Sequence, residues 1–125
     1  MPEQAVKKYT ILVCDDEEGI RESFKLVLND FYNLKFAMNG LEAIEMLKSG
    51  LNPNLMLLDI KMPKLHGMEI LKQIKKIKPN LPVIIVTGYQ SVEMAQEALR
   101  NGAADYIPKP FESKQILKSV AEVLK

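Results

Sequence analysis

Short runs of consecutive apolar residues alternate along this chain with longer stretches in which apolar residues recur every three or four positions. Residues 9–14 form an apolar run rich in β-branched side chains, the pattern of a strand covered on both faces. From Glu17 onward, Ile20, Phe24, Val27, Leu28 and Phe31 follow helical spacing. Residues 34–38 predict a second strand, punctuated by Asn39 and Gly40. Leu41, Ile44 and Leu47 give a second helical stripe, closed by Ser49 and Gly50. Residues 54–58 predict a third strand that runs straight into Asp59. Pro63 and Gly67 mark a loop, and Ile70, Leu71, Ile74 and Ile77 a third helix stopped by Pro79. Residues 82–86 are the most apolar strand. Ser91 caps a fourth helix through Leu99, with Gly102 beyond its end. Residues 103–107 predict a fifth strand. Residues 113–124 predict a fifth helix with Ile116, Leu117, Val120, Val123 and Leu124 inward.

Five β–α pairs in succession predict an α/β fold, a doubly wound, mainly parallel five-stranded sheet with helices of about 10–14 residues on both faces. A chain of 125 residues has room for one such domain, and 47% apolar with 26% charged residues is the balance of a folded one. No sequence repeat, low-complexity tract or linker interrupts it. The single cysteine, Cys14, excludes an internal disulfide framework and a multi-cysteine zinc site. No apolar run approaches the ~20 residues that span a bilayer, and residues 1–9 lack the apolar core of a secretory signal. The expectation is a cytoplasmic domain with no membrane contact. A net charge of +1 gives no global reason to expect nucleic-acid binding. The charges are unevenly placed, however. Asp15, Asp16, Glu17 and Glu18 form an acidic run, while Lys61, Lys64, Lys72, Lys75, Lys76 and Lys78 load the middle of the chain. Lysines so spaced are ordinarily a solvated helix face.

In open parallel sheets the loops at the carboxyl ends of the strands gather into the ligand crevice. Strand one ends at Asp15 and Asp16, strand three at Asp59, strand four at Thr87 and Gly88, and strand five at Lys109. Strand two ends at Asn39 and Gly40, which offer only a turn. Three carboxylates at one edge would raise at least one pKa unless a cation compensates. An all-oxygen donor set of this kind suits a hard divalent ion, Mg²⁺ most naturally. Lys109 could then pair with an oxyanion and Thr87 donate a hydrogen bond. One carboxylate would be left as a nucleophile able to form an acyl phosphate. Taken singly, each residue has a plainer role. An acidic pair after a strand can be a helix N-cap, Thr87 and Gly88 a turn, and Lys109 a surface cation. Their joint placement, at the ends of four of five strands, is what argues for chemistry.

Residues 13–17 (VCDDE), 58–63 (LDIKMP), 86–88 (VTG) and 106–111 (YIPKPF) together resemble the signature of receiver domains of two-component response regulators. The resemblance runs from about residue 9 to 124, so it implies an extension over 1–8 and a receiver domain over 9–125. It implies the sheet order 2-1-3-4-5. It further implies that Asp59 accepts a phosphoryl group from a sensor histidine kinase or phosphotransfer protein. Asp15 and Asp16 would hold Mg²⁺, Asp16 directly and Asp15 chiefly through water, with Asp59 and the backbone carbonyl of Lys61 as further ligands. Thr87 would be the switch hydroxyl, Lys109 the phosphoryl-binding lysine ahead of a cis Pro110, and Tyr106 the switch aromatic. Phosphorylation would reshape the helix 4–strand 5–helix 5 face to control an output domain or effector, with a phosphorylation-dependent homodimer as one outcome. Such a module catalyses only its own phosphorylation and dephosphorylation and is no enzyme toward other substrates. The motif style is similar to receivers of enhancer-type transcription regulators, yet these residues hold no DNA-recognition helix. The chain is thus expected to be a stand-alone regulator or the N-terminal part of a longer one.

Two other functions stay open on residues alone. A constitutive docking or dimerisation unit would not need the full set of site residues. A phosphatase with an aspartyl-phosphate intermediate would want an acid two residues after the nucleophile, where Lys61 stands. Glycine-rich dinucleotide and nucleotide loops are missing from the sequence. Lys61 and Tyr89 occupy positions where side chains screen attacking water, so slow self-dephosphorylation is expected. His66 is expected to be a turn residue, Cys14 an inert buried thiol, and the seven methionines packing residues without a common face.

Overall fold

The computed structural model describes residues 7–60, 67–88 and 91–125. Among the described residues, ten elements alternate strictly: β1 (Thr10–Cys14), α1 (Glu18–Leu28), β2 (Asn33–Ala37), α2 (Gly40–Lys48), β3 (Leu55–Leu58), α3 (Gly67–Ile77), β4 (Val83–Thr87), α4 (Val92–Arg100), β5 (Asp105–Pro108) and α5 (Ser113–Val123). The strands form one parallel sheet in the order β2-β1-β3-β4-β5, as the resemblance implied. Every residue of β3 and β4 is buried, which is why both read as unbroken apolar runs.

Alternation along each strand divides the core into two layers. Ile11, Val13, Leu57, Ile84 and Val86 meet Phe24 and Leu28 of α1 and Ile116 and Val120 of α5. Leu12, Met56, Leu58, Val83 and Ile85 face the other way, onto Ala43, Ile44 and Leu47 of α2, Ile70, Leu71 and Ile74 of α3, and Ala98 of α4. The helices are nine to eleven residues long. Among the described residues, side chains start two of them: Asn39 accepts from the Glu42 amide at 2.8 Å, and Ser91 from the Met94 amide at 3.2 Å.

Three boundaries differ from the periodicity. Phe31 continues the α1 stripe in sequence, but α1 ends at Leu28, whose carbonyl takes the amides of both Phe31 and Tyr32. The chain has only four residues in which to turn and enter β2, and Phe31 is left 58% exposed. Gly67 opens α3 instead of lying in a loop. Ala103, expected in β5, still serves α4, its amide bonded to the Ala98 carbonyl.

Candidate functional site

Register brings the strand-end residues together. Cys14 pairs with Leu58, and the Asp59 amide then donates to the Cys14 carbonyl at 3.1 Å, so Asp15 and Asp59 follow on adjacent strands. Thr87 pairs with Pro108, and the Lys109 amide donates to the Thr87 carbonyl at 2.8 Å. Lys109 therefore leaves the sheet two strands away from Asp59, on a stem long enough to reach back across β4. The Lys109–Pro110 bond is cis, and the next residue, Phe111, stacks on Phe24 of α1 with ring centroids 4.9 Å apart.

The lysine ammonium closes the cluster. Lys109 Nζ lies 2.8 Å from Asp15 Oδ2 and 2.9 Å from Asp59 Oδ2, and 3.6 Å from Glu17 Oε1. Asp15 and Asp59 are 1% and 3% exposed, so two carboxylates share one cation where water is largely excluded. Burial pushes the Asp15 carboxyl above its ordinary range, with the Asp59 charge adding to the rise, against hydrogen bonds from Lys109 and the Glu17 amide. Burial also opposes the charge on Lys109, but its hydrogen bonds to both aspartates outweigh that, and its pKa is raised. Thr87 is fully buried at the end of β4. Tyr106 is half-buried against the α2–α3–α4 layer, its phenol pKa raised by burial and by the Asp59 charge.

Asp16 is exposed beside Asp15, and the carboxylates of Asp15, Asp16 and Glu17 present oxygens all within 4.8 Å of one another. That oxygen-only pocket fits a hard cation such as Mg²⁺. Lys61, Tyr89 and His66 lie outside the described residues, as do Met62 and Pro63.

Two contributors were not assigned from sequence. Glu17 belongs in sequence to the acidic run, and in the structure it is the third carboxylate around Lys109. Arg21 reaches back from α1 to donate to the Asp15 carbonyl at 2.7 Å, fixing the β1–α1 turn beneath the carboxylates. Its position one helical turn after Glu17 was the available signal.

Residues 11–121 match the family model described as the response regulator receiver domain. The response regulator MprA of Mycobacterium ulcerans (strain Agy99) is 36% identical over 116 residues, covering 92% of this chain and 50% of that protein. The chain thus spans about half the length of the curated relatives it matches. The CheY-like receiver domain protein of Methanospirillum hungatei JF-1 superposes with a TM-score of 0.87 at 34% identity, over 93% of each chain. NtrX from Brucella abortus superposes with a TM-score of 0.85 at 34% identity, covering 93% of this chain and 26% of that one. Among the described residues no helix is long and apolar enough to cross a membrane. By sequence, by fold and by the edge at which its charged side chains meet, this chain belongs to the response regulator receiver family of two-component signalling.

Proposed function

We propose that the domain is switched by a phosphoryl group on Asp59. The observation that carries this is the Lys109 ammonium held at 2.8 and 2.9 Å between two buried carboxylates, Asp15 and Asp59. A carboxylate oxygen of Asp59 attacks the phosphorus of a phosphohistidine on a sensor kinase or phosphotransfer protein. The P–N bond breaks, its electron pair stays on the imidazole, and an acyl phosphate remains on Asp59. Lys109, already beside that oxygen, donates to the phosphoryl group, and the buried Thr87 supplies its hydroxyl from the next strand end.

Asp15, Asp16 and Asp59, with the Lys61 carbonyl, are the residues that would hold Mg²⁺. When bound, the ion supplies positive charge against the phosphoryl oxygens. Asp15 keeps Lys109 oriented, and Arg21 keeps Asp15 in place. Tyr106 belongs to β5 and packs against the α2–α3–α4 layer, and its reorientation passes the change through the α4–β5–α5 face to an output domain, an effector or a second copy. The domain acts on its own aspartate and turns over no other substrate, and it works in the cytoplasm.

Incubation with Mg²⁺ and a small phosphodonor should add one phosphoryl group to the intact mass. The gain should vanish in Asp59→Asn. No gain, or a gain that survives this substitution, rejects the proposal.

A further inference from the structure

The lysines of α3 are more than a solvated stripe. Lys72, Lys75 and Lys76 meet Arg100 of α4 around an open cleft of about 490 Å³ between the two helices. Lys75 and Lys76 belong to the last turn of α3 and Arg100 to the last turn of α4. Both helices run back from the carboxyl ends of their strands, so the cleft lies at the sheet edge opposite Asp59.

Cations in a last helical turn offset the helix dipole, but that does not account for convergence from two helices. Lys75 forms the floor. Its Nζ donates to the Leu81 carbonyl at 2.8 Å, and its stem covers Gly102, whose φ of +100° ends α4. A β-carbon at Gly102 would stand 3.1 Å from Lys75 Cε, so the lysine ties the ends of α3 and α4 together. Lys72, Lys76 and Arg100 are exposed around it, and among the described residues none of them lies within ion-pair distance of a carboxylate. Among the described residues Glu69 is the one acid that lines the cleft.

The geometry points to this cleft as a second binding site, for a short acidic segment of a partner protein. Three cations without acidic partners facing one depression give a local positive field in a chain of net charge +1. A nucleic acid would call for a longer basic track along successive phosphates, whereas this patch is confined to one cleft. Glu69 repels phosphate but can accept from a peptide amide, and the amide side chains of Gln73 and Asn101 line the same cleft. The site goes beyond the phosphorylation switch and does not use its residues.

The test uses the 125-residue chain and a fluorescein-labelled, capped peptide of alternating glutamate and alanine, with its glutamine counterpart as control. A saturable rise in polarisation is expected with the acidic peptide alone, weakening as salt is added. In Lys72→Gln/Lys76→Gln/Arg100→Gln, whose three positions are exposed, affinity should fall about tenfold or more, while phosphorylation of Asp59 is unchanged. Amide NMR shifts should gather at residues 72–76 and 100–102. Lack of saturation, undiminished binding by the triple variant, or shifts at the Asp15–Glu17 pocket would overturn the inference. So would displacement of the peptide by a short DNA duplex or by inorganic phosphate at equal concentration.

Discussion

The backbone of Gly67, at the start of α3, packs directly against the backbone of Ile60, the residue after Asp59. A β-carbon at Gly67 would overlap the Ile60 Cα and Cβ and come within 2.6 Å of its carbonyl oxygen. No rotamer change can relieve a clash with main chain. Gly67→Ala should therefore destabilise the domain by about 2 kcal/mol, seen as a lower urea midpoint, and should slow phosphorylation of Asp59. An unchanged midpoint would show that the segment after β3 yields freely.

Removal of the shared cation is the sharpest perturbation of the site. Lys109→Met leaves Asp15 and Asp59 buried side by side without the ammonium they share, at a cost of about 3 kcal/mol near neutral pH. Asp15 already has a raised pKa, and loss of the Lys109 hydrogen bond raises it further. A carboxyl with a raised folded pKa binds its proton better in the folded state, so stability falls as pH rises through that value. The deficit of the variant should shrink in acid. Urea titrations near pH 4 and near pH 7 should show this, and a deficit equal at both would contradict it.

Stability of the wild-type chain should decline in alkali. Burial, with the nearby Asp15 and Asp59 charges, pushes the Cys14 thiol from 9.0 up to about 12. Above pH 9.0 the unfolded thiol ionises while the folded one does not, so the unfolded state gains until pH reaches about 12. Tyr106 and Lys109, both with raised pKa values, act in the same direction above their ordinary values of 10.0 and 10.5. Cys14→Ala should flatten the fall of the urea midpoint between pH 9 and pH 11 without abolishing it. Equal slopes for the two proteins would count against the buried-thiol contribution.

A polar pin joins α5 to β5. Ser119 Oγ donates to Asp105 Oδ2 at 2.6 Å, while the other oxygen of Asp105 accepts the Tyr106 amide at 2.8 Å. Ser119→Ala should cost about 1–2 kcal/mol, because a carboxylate oxygen loses its partner in a half-buried place. Combined with Asp105→Ala it should cost less than the sum of the two single changes. Strict additivity in that double-mutant cycle would show that the pair is uncoupled.

Most of the fold was legible because its signals are local. The fully buried β3 and β4 appear as unbroken apolar runs, and α3 as a stripe of Ile70, Leu71 and Ile74. The failures come where a long-range demand overrides a local pattern. Phe31 keeps helical spacing but is turned out, because Asn33 must enter β2 opposite Thr10. Leu41 fits a helical stripe, yet it is 60% exposed, since α2 buries Gly40, Ala43, Ile44 and Leu47 instead. Glu17 and Arg21 were unremarkable in sequence because each contributes to the site through contacts with a residue on another element or at a turn.

By itself the sequence determined which residue types stand at the strand ends: Asp15, Asp16, Asp59, Thr87 and Lys109. Apolar periodicity places them there, since it specifies each element from neighbours a few positions away. Only the tertiary structure decided that one ammonium, from a residue 94 positions beyond Asp15 in the chain and 50 beyond Asp59, would lie between both carboxylates. It likewise decided that lysines and an arginine from two helices would face one cleft at the opposite edge. Both arrangements rest on strand order and register, and Coulomb interactions between distant segments acquire their strength only when packing removes the intervening water.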